Sequence, residues 1–563
     1  MFSAQIEILR GKNPANPLCS YIGEALAIEG FTHRWVDAPT GRDALLILPH
    51  LLESEEQSEM IRTHVRDGGS VIALRPSLLL ADVFGLAVHG GQRWAGYTRH
   101  PDGEMMQIHG GSDLYRLAGG EEIAPLLEGF DGDLAGRRPA GPAHPAVARV
   151  EGGGGRRVCF AYDLARCLVL LQQGRPDQAS DGAFANADGD WKFSQNDMFT
   201  GHLDPRLKNT PQADLHRDLL VRMIGWTTEK TKAVPRVWRF PNLEETGAMI
   251  DGDGDNATKE IFDLAFSTCE EFGIPYSTYL MEEQFDALTP SDAKALRARG
   301  HTVGLHPWLG PYPTLEEFET YLKKAFGNFR DLYGYIPSAS RNHCIIWTGW
   351  VDLPRVESEI GVRMDLNGYS GRHFQSGVQS GTLLPVKFMD ARGRLIDIYS
   401  QFTFITDDGW VEDKHHLPAL TEPQRIEETH RWVDRCFQYQ GMFHPTFHPL
   451  RMKSFGEPTL PWFRETLGHL QSRKVRGWSA DAWTSFNDAR RGVSVESNGS
   501  VWQIKAERAL QGLSIVLPER VGTKFLLDGK PLEGRSFKTA GRAHVGVVLD
   551  VAGNQVRELK IRL

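Results

Sequence analysis

What this sequence lacks narrows it first. Its six cysteines, Cys19, Cys159, Cys167, Cys269, Cys344 and Cys436, form no CxxC pair and no regular framework. A disulfide scaffold is therefore excluded, and buried thiols are expected. No apolar run reaches about 18 residues, so no membrane-spanning helix is expected. The opening "MFSAQIEILRGKN" has no apolar core of a signal peptide, which points to a cytoplasmic protein. There is no basic block, and a net charge of −9 over 563 residues argues against a nucleic-acid partner. The glycine run Gly152–Gly155 lacks the Lys and Ser/Thr of a phosphate loop, so a turn between strands is expected there.

What is present is an ordinary globular composition, 41% hydrophobic and 24% charged, in a chain long enough for about two to four domains. The 14 tryptophans fill cores or stack on sugar rings. Residues 1–235 alternate strands ("AQIEILRG", "DALLILP", "SVIALRP") with helices ("PLCSYIGEALAIEGF", "ESEEQSEMIRTHVRDGG"), the rhythm of a parallel sheet covered on both faces. A polar stretch from Ser180 to about Asn209 reads as a long surface excursion. Residues 236–490 alternate again, with a helix over "TPSDAKALRARG" capped by Thr289 and another starting at the Thr314/Glu317 capping box. That βα rhythm over about 250 residues suits a (β/α) barrel, whose reactive groups sit at the C-terminal ends of strands. From 491 to 563 only short strands broken by turns remain, a small β-sandwich-like unit.

The stretch "AMIDGDGDNATKE", residues 248–260, sets Asp251, Asp253 and Asp255 alternately with glycines at such a strand end. An EF-hand loop fails, because its sixth and twelfth positions are Asn256 and Phe262. A helix N-terminus accounts for Asp255 and Asn256 but less well for the other two. Alternate residues of a strand share a face, so Asp251 and Asp253 both aim at the barrel mouth. "GHTVGLHPW" offers His306 at its strand end, with His301 at the start assigned a structural role. "SRNHCIIW" offers Arg341 and His343 on one face, and "MFHPTFHP" offers His444 and His448. One Asp and two His form a three-ligand set for a catalytic divalent metal, with an Asp as general base and a distant His as general acid.

This series, an Asp-x-Asp strand end, "GHTVGLHP", "SRNHC", "MDLNGY" and a late "FHP", resembles the polysaccharide deacetylases of the NodB-homology (carbohydrate esterase 4-like) type across about residues 236–485. The resemblance implies a distorted (β/α) barrel, a divalent metal, often zinc, and hydrolysis of an N- or O-acetyl group on a carbohydrate. It implies Asp251 as catalytic base, Asp253 and His306 as metal ligands, Arg341 orienting the base, and His444 or His448 as the late acid. The family's usual second metal histidine falls on Gly310 here. A variant branch with "GLHP" and a later Arg-x-His is closer to this chain, and it makes His343 the third ligand.

The N-terminal region resembles the class I glutamine-amidotransferase-like, flavodoxin-like domains. The turn after "SVIALRP" holds Ser77 where an active amidotransferase needs Cys, and Cys19, Cys159 and Cys167 follow no such elbow. A non-catalytic domain is expected. The whole is thus expected to be α/β: a flavodoxin-like domain, a deacetylase-like distorted barrel and a small all-β domain. Two other readings stay open, a carbohydrate-binding pseudoenzyme and a glycoside hydrolase using two carboxylates. The expected partner is an acetylated saccharide; the sugar, the metal's identity and the oligomeric state are not specified.

Overall fold

The computed structural model describes residues 5–11, 14–132, 135–138, 143–179, 193–229, 234–308, 310, 314–370, 376–412, 418–453, 458–498, 500–519 and 523–562. The first half of the expected polar excursion, 180–192, lies outside the described residues. The chain is of mixed α/β class.

The N-terminal sheet runs in the order His33–Val36, Ile6–Leu9, Leu45–Leu48, Ser70–Leu74, Gly155–Phe160, Pro145–Gly152, Glu121–Pro125. Its first five strands are parallel and its last two antiparallel. The helix Glu55–Arg66 starts on a capping box between Ser54 and Gln57. The Gly152–Gly155 run is the hairpin turn between two strands, with Gly153 and Gly154 at positive φ. A long hairpin that the sequence pattern did not disclose, Leu86–Arg99 with Met105–Leu117, lies beside this sheet.

In the central region the parallel strands Gly247–Asp253, Tyr276–Leu280, Thr302–Leu305, Ala339–Ser340, Met364–Asp365 and Leu395–Ser400 pair in succession. On its other edge Gly247–Asp253 pairs with Pro445–Thr446, which pairs with Ile405–Thr406. The helices expected here form, the first with its full capping box and the second with half of the expected one, because Glu317 turns its carboxylate to the Thr314 hydroxyl at 3.1 Å. Thr289 accepts from Asp292 N ahead of Pro290–Ala298, and Thr314 accepts from Glu317 N ahead of Leu315–Tyr333.

The period-two pattern of the first strand sets up the site. Ala248 and Ile250 pack among the helices, while Met249 packs with Tyr279, Met364 and Tyr399 on the opposite face. Asp251 and Asp253 share Met249's face. The glycines between them are required. A Cβ on Gly252 would lie 1.9 Å from Phe447 O, and one on Gly254 would lie 2.8 Å from Tyr279 O.

The last strands form two antiparallel sheets around one core containing Trp502, Ile504, Ile515 and Val547. Arg236–Val237 joins one of them by pairing with Ile515 and Val516. The N-terminal and central regions meet at a sealed ionic cluster, where Glu29 takes Arg236 at 3.0 Å, Arg239 at 2.5 Å and Arg217 at 3.4 Å.

Candidate metal centre

The site is best built outward from Asp251. It is fully buried, and Arg341 grips both its oxygens at 3.1 and 2.9 Å. Thr446 donates to it at 2.8 Å and His444 Nε2 at 3.0 Å. Burial would raise this carboxyl, but Arg341 and His444 hold it down at about 2. Arg341 is itself saturated, donating also to Leu366 O, Thr446 and Thr403. A carboxylate enclosed in this way is a strut rather than a proton acceptor. His444, with no exposed surface, lies in the same wall, its Nδ1 facing Phe402 O at 3.1 Å. Neither Asp251 nor His444 lines the cavity above.

Two residues on, Asp253 does line that cavity, which holds about 490 Å³. Arg341 reaches it only at 3.5 Å, and burial raises its carboxyl in spite of the nearby His306 and Arg341.

Asp255 lies past the strand end, where the backbone turns through positive φ at both Asp255 (30°) and Asn256 (60°). Such values are costly for residues other than glycine and mark a held conformation. The turn carries Asp255 Oδ1 to 3.3 Å from His306 Nε2 and 3.2 Å from His343 Nδ1, and those two nitrogens are 3.2 Å apart. His306 Nδ1 donates to Arg341 O at 2.7 Å, which fixes the tautomer and leaves the Nε2 lone pair for a ligand. His343 sits on a second strained turn, with Cys344 at φ 57° and Ile345 at 55°, and the ring of Trp308 stacks on it at 4.3 Å. The three donor atoms form a nearly equilateral triangle. Ligands about 2.0–2.1 Å from a tetrahedral ion are separated by about 3.3 Å, so the triangle fits one face of zinc coordination. The same atoms are electrostatically coupled. Asp255 is held far below the usual carboxylate range by His306 and His343 despite burial. His343 is held at about 9, burial pulling it down and Asp255 pushing it up more.

Facing the triangle, His448 Nε2 is 3.6 Å from Asp255 and 3.7 Å from Asp253. Its Nδ1 is tied to Asp407 at 2.5 Å, and Asp407 also accepts from His448 N at 2.8 Å. Burial lowers this imidazole, but Asp407, Asp253 and Asp255 raise it further, to about 10.

The expected site residues are therefore gathered in one place but in different positions. Asp253 was expected to join His306 and His343, yet the carboxylate that meets them is Asp255. Asp251 was expected as base, yet it is sealed under Arg341. Of the two late histidines, His448 faces the cavity and His444 does not. Among the described residues, a Cβ at Gly310 would meet Trp308, at 3.4 Å from its Nε1. Asp407, Thr446, Thr403 and Trp308 were not singled out from sequence. The run "DDGW" directly after Ile405–Thr406 was the available signal for Asp407. Among the described residues a second Asp/His group, His100 with Asp102 and Asp218, is neutralised by Arg222, which pairs with both carboxylates.

No family model matches the chain, and no curated protein matches it. Among solved structures it is similar to a "putative polysaccharide deacetylase" from Mycobacterium smegmatis, with 13% identity, 45% of this chain and 93% of the other covered, and a TM-score of 0.35. A protein of the same description involved in O-antigen biosynthesis, from Bordetella bronchiseptica, gives 13% identity, 40% and 90% coverage, and 0.27. A GH57 branching enzyme from Thermococcus kodakaraensis gives 7% identity, 43% and 71% coverage, and 0.31. At TM-scores below 0.5 such likenesses carry no argument, and function has to be argued from the side chains.

Proposed function

We propose that this chain is a metal-dependent hydrolase that removes an acetyl group, as amide or ester, from a carbohydrate. The observation that carries the reading is the triangle of Asp255, His306 and His343, flanked in one cavity by a free-faced carboxylate and an Asp-backed histidine. When bound, a divalent ion, zinc by the donor set, supplies Lewis acidity toward a carbonyl and toward water. Asp253 takes one proton from the attacking water as its oxygen adds to the acyl carbon. His448 Nε2–H delivers a proton to the departing nitrogen or oxygen as that bond breaks, releasing acetate. Asp407, accepting from Nδ1–H, stabilises the imidazolium whose Nε2 carries that proton. Arg341, braced on Asp251, sets the depth of Asp253 and offers its backbone carbonyl to His306. The same reading divides the chain into a non-catalytic module over 1–235, a distorted (β/α) barrel over 236–490 and a β module over 491–563.

The test is acetate release from chito-oligosaccharides and from acetylated xylo-oligosaccharides by the zinc-loaded protein. Release that disappears in His448→Ala supports the reading. Saccharide binding with no release from either series sinks it in favour of a binding protein. New reducing ends that form without metal would make it a glycoside hydrolase.

A further inference from the structure

Residues 364–369, "MDLNGY", supply no atom to the triangle of Asp255, His306 and His343, yet the turn that carries His343 is fastened to them. That turn, residues 341–345, holds Cys344 and Ile345 at positive φ, which neither residue favours on its own. Bonds on two sides keep it there. Toward the preceding strand, His343 N donates to Pro307 O at 3.0 Å, and Arg341 O accepts from His306 Nδ1 at 2.7 Å. Toward 364–369, Arg341 Nε donates to Leu366 O at 3.1 Å, and Asn342 N donates to Asn367 Oδ1 at 2.6 Å. Asn342 then closes the turn on itself. Its Nδ2 donates to Ile346 O at 2.9 Å, and its O accepts from Ile345 N at 2.9 Å.

Of the ties to neighbouring strands, the one at Asn342 N is accepted by a side chain, and the orientation of that side chain is imposed. An amide has an oxygen end and an N–H end, and only the oxygen accepts. Asp365 decides which end faces Asn342. Its Oδ2 accepts from Asn367 Nδ2 at 2.6 Å and its Oδ1 from Asn367 N at 3.2 Å. With the N–H end spent on a carboxylate, the oxygen end is left for Asn342 N. Asp365 is itself placed by its strand, which pairs with Ala339–Ser340 just ahead of the turn. Asn342, Asp365 and Asn367 are all fully buried, so water does not compete for these groups.

We propose that Asn367, oriented by Asp365, is a positioning residue for the metal triangle. It sets the place of Asn342 N, and through the turn the place of His343 Nδ1 relative to Asp255 and His306. Groups that orient metal ligands from the next layer out change metal affinity about tenfold to hundredfold when removed. The inference rests on the triangle taking a divalent ion, as in the reading above, and not on the acyl chemistry that follows.

The test is zinc affinity of the full chain by chelator competition, measured well below each protein's melting temperature. The proteins compared are wild type, Asn367→Leu, which removes the acceptor at similar volume, and Asn367→Asp, which keeps it. The expected result is a loss of about tenfold to hundredfold in Asn367→Leu, with Asn367→Asp binding at least about fivefold tighter than Asn367→Leu. Zinc affinity in Asn367→Leu within about threefold of wild type, or Asn367→Asp as weak as Asn367→Leu, overturns the proposal. If Asn367→Leu does not fold, Asn367→Ala is measured in its place against the same limits. Wild type that takes up no zinc removes the triangle as a metal centre and this proposal with it. Acetate release keeps the two readings apart. Release by wild type with zinc affinity unchanged in Asn367→Leu removes only the positioning role. Zinc affinity lost in Asn367→Leu, with no release by wild type, supports the positioning role and removes only the hydrolase.

Discussion

Two parallel sheets in this chain gather polar side chains at the C-terminal ends of their strands, and only one of the gatherings is left open. In the N-terminal region Arg75 is matched to Asp113 by bonds of 3.1 and 3.0 Å. Asp163 is taken up by Asn16, His50 and the backbone N of Arg166. The thiols there are out of use. Burial and Asp163 push Cys19 up to about 12, and burial pushes Cys167 up to about 12, so neither supplies a thiolate. In the central region the strut, Asp251 with Arg341, is saturated in the same way. The layer above it is not: Asp253, Asp255, His306, His343 and His448 converge on one cavity. Both regions contain buried carboxylates and histidines. What sets the central gathering apart is donor atoms left over after the scaffold is satisfied, aimed at a cavity and held there by strained turns.

Substitutions can break that contrast, and they rank by expected size. Asp255→Ala removes a corner of the triangle and should lower acetate release about a thousandfold or more, with the fold retained by circular dichroism; residual activity within tenfold of wild type would contradict its role. His448→Ala should cost about a hundredfold to ten-thousandfold in kcat, as general acids do, with Asp407→Asn smaller than His448→Ala. Asp113→Ala should do the reverse. Stranding a buried Arg75 should cost about 3–5 kcal/mol in denaturant unfolding, with kcat unchanged once folded.

The smallest effect concerns Glu357 and Asp365, both fully buried, with Asp365 on the strand that pairs with Ala339–Ser340. Burial raises both carboxyls, Glu357 well above its ordinary value and Asp365 to about 6. The folded chain therefore holds protons that the unfolded chain releases near pH 4. The stability this confers is complete below about pH 4 and is lost as pH rises through about 6 and beyond. Glu357→Gln should melt within a degree or so of wild type at pH 4 and several degrees higher at pH 7.5. Equal melting at both values would show that Glu357 is ionised in the fold.

Much of this was legible in residues. Strand rhythm located the parallel sheets, and the caps at Thr289 and Thr314 fixed helix starts to the residue. Period-two spacing put Asp251 and Asp253 on one face. Strand-end position picked out His306, Arg341 and His343 together. The carboxylate that meets His306 and His343 was missed because Asp255 reaches them through two positive-φ residues, and side-chain periodicity stops where the strand does. The roles of Asp251 and Asp253 depend on depth, on which of them Arg341 encloses, and spacing along a strand does not encode depth. Choosing His448 over His444 needed Asp407, which is 41 residues away in sequence. The hairpin Leu86–Arg99 with Met105–Leu117 was hidden because register shifts at Val88/Gln92 and Trp94/Gly96 break its alternation.

The most direct measurement is the metal content of purified, zinc-reconstituted wild type, Asp253→Ala and Asp255→Ala by elemental analysis. The account predicts about one zinc per chain in wild type and in Asp253→Ala, with the latter inactive, and little zinc in Asp255→Ala. Zinc retained by Asp255→Ala and lost from Asp253→Ala would move the ligand back to the strand and contradict the triangle.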